Sequence, residues 1–114
     1  MAMREMNEEQ LLELTRDNHI NCAVFLFTSM CGTCQAARRM LEVLEAMDEQ
    51  LPLYAGNVNM TPHLAQSWQI ESVPCVVYIR QGRIAEKMYA VQSVPALYEW
   101  FLKYGLMRCG ITGK

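Results

Sequence analysis

Cys22-Ala-Val-Phe-Leu-Phe-Thr28 is an unbroken apolar run rich in β-formers, with no charged residue in it. A strand that alternates apolar and polar residues has one wet face; a continuous run like this has none. It must be buried on both faces, as in the middle of an α/β sheet. Directly after it come Ser29 and Met30, and then Cys31-Gly32-Thr33-Cys34. From Cys34 the period changes. Ala37, Met40, Leu41, Leu44 and Met47 recur at steps of three and four, while Arg38, Arg39, Glu42, Glu45 and Glu49 fill the other side. That is an amphipathic helix.

The rest of the chain follows the same alternation. Asn7 with Gln10 forms a capping-box pattern for a first helix, whose apolar side is Leu11, Leu12 and Leu14, running to about Thr15. Residues 51–58 read as a second strand, and Thr61-Pro62 as an N-cap and first helical position for a short helix to about Trp68. Val73-Pro74 ends the connection, and residues 75–79 form a third strand. Gln81-Gly82 is a tight turn, and residues 83–90 return antiparallel. Ser93, with Pro95 close behind, opens a last helix through Leu97, Trp100, Phe101 and Tyr104 to Gly105, and residues 106–114 read as a loose tail. The order predicts one α/β domain over 1–114, core about 7–105, with a mixed sheet and helices on both faces.

At 114 residues and 52% hydrophobic, the chain can build a core without a metal or disulfide staple. A net charge of -2 gives no electrostatic reason to expect nucleic acid or an anionic membrane as partner. No apolar run approaches the ~20 residues of a membrane span. The polar first residues lack an apolar signal core, so a cytoplasmic location is expected. Five cysteines, Cys22, Cys31, Cys34, Cys75 and Cys109, are an odd number for a secreted disulfide scaffold.

A Cys-x-x-C spacing is weak alone: five cysteines in a chain of this length give roughly 0.17 such pairs by chance. Its place at a strand-to-helix junction is what gives it meaning. Helix N-termini present free N–H groups and the positive end of the dipole, and both favour a thiolate. Cys31, just outside the helix, is placed to attack a disulfide. Cys34, one turn inward and drier, is placed to resolve the mixed disulfide. Gly32 and Thr33 set the geometry between them. Half of a zinc site is a competing reading, but it needs two more ligands, and the other cysteines, His19 and His63 offer no second paired spacing. Two inert core thiols is another, against which stands the polar, glycine-containing link. No metal is expected.

Phe-Leu-Phe-Thr28, Met30-Cys-Gly-Thr-Cys34, Val73-Pro74, Gly82 and the closing helix resemble thioredoxin over about Asn18 to Tyr104. The resemblance implies the thioredoxin fold, a three-layer α/β/α arrangement around a mixed central β-sheet. It implies a thiol–disulfide oxidoreductase that reduces protein or small-molecule disulfides through a redox-active Cys31–Cys34 disulfide, needs no other cofactor, takes electrons from a disulfide reductase and works as a monomer. It makes Val73-Pro74 a cis bond beside the dithiol, with the Val73 backbone presented to a substrate strand. Met30 and Ala90 fall on the substrate-contacting surface, Ala90 where the family has glycine.

This chain also departs from the family pattern. Met30 replaces a tryptophan, Thr33 a proline, and Arg39 a helix-kinking proline. Phe25 stands at the family's buried acid and Ala55 at the lysine facing it, so no side chain there serves Cys34 as a base. A thioredoxin-like binding module with little turnover is therefore the alternative reading, and a metal or cluster protein dimerised through Cys31 and Cys34 is a third. Cys75, directly after Pro74, reads either as a third thiol participant near the dithiol or as a small residue filling a buried strand. Cys22 reads as a core thiol and Cys109 as an exposed tail thiol. His19 and His63 read as surface residues, and Trp68 and Trp100 as packing residues.

Overall fold

A computed structural model describes residues 3–107. The central strand of the sequence argument is β2 (Asn21–Phe27), and every residue of it after Asn21 is buried. It pairs parallel with β3 (Leu53–Asn57) on one side and antiparallel with β4 (Cys75–Arg80) on the other. β5 (Arg83–Met88) returns antiparallel along β4. A two-residue strand that the sequence pattern did not reveal, β1 (Arg4–Glu5), pairs parallel with the outer edge of β3. The sheet order is β1-β3-β2-β4-β5, a mixed sheet of the kind expected.

Strand alternation sorts the apolar residues into two layers. Ala23, Phe25 and Phe27 of β2, Ala55 of β3, and Val76 and Tyr78 of β4 face α2 (Gly32–Met47) and α4 (Val94–Lys103). Cys22, Val24 and Leu26, with Cys75, Val77 and Ile79, face α1 (Glu8–Glu13) and α3 (Pro62–Ser67). Each helix sends a narrow apolar stripe inward: Ala37, Leu41 and Leu44 from α2, Leu97 and Phe101 from α4, Leu11 from α1 and Leu64 from α3. The result is three layers, α/β/α.

Caps and turns mark most of the element ends. Asn7 and Gln10 form the reciprocal capping box of α1, at 2.8 and 2.9 Å. Ser93 caps α4 through the Ala96 N–H at 3.1 Å. The β4–β5 hairpin turns through Gln81 and Gly82, both at positive φ (52° and 76°), as a two-residue hairpin with the strands' own twist requires. A Cβ at Gly82 would lie 2.6 Å from the Asp17 carbonyl, so the position takes glycine for contact as well as for φ.

Four expectations need correction. Thr61 precedes α3, but its hydroxyl donates back to the Asn57 carbonyl and does not cap the helix. The Glu8 carboxylate of α1 takes the His63 and Leu64 N–H groups instead, at 3.0 and 3.4 Å. The second strand stops at Asn57, where a 3₁₀ turn (Val58–Met60) begins. β5 ends at Met88, which leaves Ala90 outside the strand. The tail assignment fails at its start: Leu106 and Met107 are buried against the α2/α4 core, because both are apolar and follow the Gly105 reversal (φ 73°) that turns the chain back. Cys109 lies outside the described residues. No helix among them is long and apolar enough to cross a membrane.

Candidate functional site

β2 delivers the chain to the end of the sheet, and α2 starts within five residues. Cys31 is the N-cap of α2, with extended backbone (φ -95°, ψ 113°). Its sulfur accepts the Cys34 backbone N–H at 3.1 Å and lies 3.2 Å from the Thr33 hydroxyl. The sulfur thus occupies the place a capping oxygen takes in an ordinary helix, and receives an N–H that the helix leaves free. An acceptor with two donors and a positive helix end beside it is better charged than neutral. Accordingly the Cys31 thiol is lowered from the ordinary range, first by the Cys34 thiol as donor and then by the Thr33 hydroxyl.

Cys34 has the opposite surroundings. It is buried, and packs in the layer that holds Phe25, Phe27 and Ala37. Burial, then its hydrogen bond to Cys31, push its thiol up to about 11, against smaller lowering effects from the Thr28 backbone and the Arg38 charge. The surroundings therefore favour the anion on the Cys31 sulfur and the neutral thiol at Cys34. The two are free thiols in this structure.

Phe25 and Ala55 are register partners across β2 and β3, and both are fully buried on the α2/α4 face. Phe25 stacks on Phe27, ring centroids 5.6 Å apart. The ground under Cys34 is thus apolar, as the two replacements imply. α2 runs uninterrupted from Gly32 to Met47 past Arg39.

Val73-Pro74 is a cis peptide. Cys75 opens β4 opposite Leu26, which brings Pro74 to the end of the sheet from which the Ser29–Cys31 loop departs. Val73 is half-buried and packs against both cores. Met30, at 93% exposure, stands out from the loop. Asn57 reaches that loop through Ser29 Oγ at 3.4 Å and carries the 3₁₀ turn that ends in a second exposed methionine, Met60. Ala90 is exposed beyond β5. Gly32 and Thr33 are exposed in the first turn of α2.

The third-thiol reading of Cys75 does not survive its placement. Its side chain belongs to the α1/α3 layer, across the sheet from Cys34, is fully buried, and is pushed up to about 12 by burial. Parity explains this: Val76, one residue on, takes the Cys34 face. Cys22 shares that layer and is likewise pushed up to about 12 by burial. Among the described residues, no three His, Cys, Asp or Glu side chains gather where they could hold a metal ion.

Arg38 is the site residue that helical periodicity assigned to the solvent side. It lies one turn beyond Cys34, is half-buried, and sets its guanidinium carbon 4.6 Å from the Phe27 ring centroid and 5.6 Å from that of Phe25. A pocket of about 180 Å³ opens between it and Cys34, lined also by Phe27, Thr28, Ser29 and Gln35. The i, i+4 spacing to Cys34 was the signal available in the sequence.

Comparison with known proteins agrees with this fold. The thioredoxin family model matches residues 3–103. Thioredoxin-like protein YusE of Bacillus subtilis is 40% identical over 97 residues, covering 85% of this chain and 89% of that protein. Among solved structures, mitochondrial thioredoxin 3 of Saccharomyces cerevisiae in its oxidized form superposes with a TM-score of 0.75 at 16% identity, covering 89% of this chain and 94% of that one. A mutant thioredoxin of Halobacterium salinarum gives 0.74 at 19% identity and 94% coverage of both chains. With its family match running through almost every described residue, and a relative 40% identical over most of its length, the chain belongs to the thioredoxin family.

Proposed function

We propose that this chain is a thiol–disulfide oxidoreductase that reduces protein or small-molecule disulfides in the cytoplasm, cycling Cys31 and Cys34 between dithiol and disulfide. The observation that carries the reading is the Cys31 sulfur, partly exposed at a helix N-cap and receiving the Cys34 N–H at 3.1 Å. The Cys31 thiolate attacks a substrate disulfide, forming a mixed disulfide and releasing one substrate thiolate. Cys34 then attacks Cys31, closing the internal disulfide and releasing the second. The two electrons leave the Cys31/Cys34 pair and reduce the substrate's sulfurs. A disulfide reductase would restore the dithiol. Met30, Val73 and Ala90, with Pro74 in support, are assigned to holding the substrate chain.

A binding module of low turnover is favoured by one specific observation: Phe25 and Ala55 are both fully buried and apolar, so neither position offers Cys34 a carboxylate to take its proton. Turnover of a model protein disulfide with dithiothreitol as reductant separates the two readings. The oxidoreductase reading expects catalysis that disappears in Cys31→Ser. It also expects Cys34→Ser to accumulate a mixed disulfide with the substrate. Absence of catalysis together with retained, non-covalent binding of the same substrate would establish the binding module.

A further inference from the structure

We propose that Arg38 is the positioning residue for resolution, its guanidinium holding negative charge on the Cys34 sulfur from across the small pocket the two side chains share. The inference rests on the oxidoreductase reading and deepens it. Cys34 has to become a thiolate to attack Cys31, yet the strand side chains beneath it are Phe25, Phe27 and Ala55, and the backbone of Thr28 gives it only a small lowering. Arg38 is the residue the fold places at the same pocket. It follows Cys34 by one helical turn, so both side chains leave the same face of α2.

Its position is held by packing. The guanidinium rests on the Phe27 and Phe25 rings, 4.6 and 5.6 Å from their centroids. A planar cation on aromatic faces keeps its N–H groups at its rim, free to point into the pocket. Among the described residues Arg38 takes part in no ion pair, so its charge is not committed to a carboxylate at close range. Phe25, at the position of the family's buried acid, therefore does more than remove a base. It builds the aromatic floor that carries a cation, and the cation stabilises the thiolate where an acid would have accepted its proton.

The charged groups acting on the Cys34 sulfur are few. Cys31 raises it and Arg38 lowers it; no charge reaches it from β2, β4 or α4. Glu45, seven residues beyond Arg38 on α2, is raised by burial and then by Glu42, and feels the Arg38 charge as a smaller lowering effect. In the resolving step the Cys34 proton passes to water at the pocket mouth. The Cys34 thiolate attacks the Cys31 sulfur of the mixed disulfide, a Cys31–Cys34 bond forms, the bond to the substrate sulfur breaks, and the substrate leaves as a thiolate that is protonated from solvent.

The test titrates Cys34 without turnover. In a Cys31→Ser, Cys109→Ser background, iodoacetamide alkylation of Cys34 is followed against pH, with Arg38, Arg38→Lys and Arg38→Met compared. Arg38→Met should move the midpoint up by about one pH unit and slow alkylation about tenfold below it, the low end of what an opposite charge at close range does. Arg38→Lys should recover most of the shift. An unchanged midpoint in Arg38→Met would overturn the proposal, and so would equal shifts in the Lys and Met variants, which would make the effect one of packing. In the otherwise unmodified protein, Arg38→Met should slow decay of the mixed disulfide and leave its formation at Cys31 unchanged; equal slowing of both steps counts against the proposal. If the unmodified protein turns over no disulfide while the Cys34 midpoint still follows the Arg38 charge, the oxidoreductase reading fails and the electrostatic role of Arg38 stands.

Discussion

On the α2/α4 face of the sheet, a cysteine ends its approach at the open mouth of a helix, with an N–H and a hydroxyl at its partly exposed sulfur. On the α1/α3 face, Cys22 and Cys75 are sealed among Val24, Leu26, Val77 and Ile79. The thiol chemistry is the same on both faces, and the surroundings separate them: Cys31 is lowered, while Cys22 and Cys75 are pushed up to about 12. What divides the faces is strand parity. A one-residue shift of β4 would exchange Cys75 for Val76 and put a third thiol in the layer of Cys34. Reactivity here belongs to a position in the fold and not to the residue type.

The largest effect expected from this contrast is in catalysis. Cys31→Ser should reduce disulfide turnover to the uncatalysed background, whereas Cys75→Ala should leave it within about twofold, since a buried neutral thiol is inert. A stopped-flow or precipitation assay on the two variants reads this directly. A large loss in Cys75→Ala with the fold intact would erase the distinction between the faces.

Next in size is Phe25→Asp. It removes a fully buried ring that stacks on Phe27 and supports Arg38, and should cost about 4 kcal/mol of stability, as large-to-small aromatic changes in cores do. If the variant folds, the new carboxylate beneath Cys34 should speed mixed-disulfide resolution near pH 7. Urea denaturation measures the first effect and stopped-flow decay of the mixed disulfide the second. An unchanged rate and pH profile would mean that a base other than the residue at position 25 already serves Cys34.

Alkaline pH sharpens the comparison further. A thiol whose folded pKa lies above its unfolded one contributes stability that is complete below the unfolded value and is lost as pH rises toward the folded value. For Cys22 that window runs from the ordinary thiol range to about 12. Within it, stability should fall by about 1.4 kcal/mol per pH unit on account of Cys22, and Cys22→Ala should flatten the curve accordingly. Cys75 acts in the same direction. Denaturation midpoints measured from pH 8 to 11 test this; equal slopes in parent and variant would refute it. The smallest effect is in labelling order. With limiting iodoacetamide near neutral pH, Cys31 should be modified before Cys34, and Cys22 and Cys75 only after unfolding, as peptide mapping would record.

Much of this arrangement is legible in the sequence because strong local rules apply. The apolar run from Cys22, the period change at Cys34, the Asn7/Gln10 pair, Gln81-Gly82 and Ser93 each mark an element by its own chemistry, and the structure places an element at each. Other features depend on partners distant in the chain. β1 is two charged residues whose only reason to be a strand is the free edge of β3. Glu8, rather than Thr61, caps α3, a pairing no local window reveals. Arg38 reads as solvent-facing in a helical wheel, but the aromatic rings of β2 extend under it. Cys75 sits one residue from Pro74 in sequence and across the sheet from Cys34 in space. Proximity along a strand says little about which face a side chain takes.

The Glu8 cap has a consequence in time as well as in space. Its carboxylate and the N–H groups it accepts are separated by 55 residues or more, so the bond cannot form until α1 and α3 have docked on the same face of the sheet. A contact closed over so long a loop comes after the entropy of bringing its ends together has been met. Glu8→Ala should therefore leave the folding limb of a chevron nearly unmoved and speed escape from the native state: the cap acts as a latch on unfolding rather than a seed for the helix it caps.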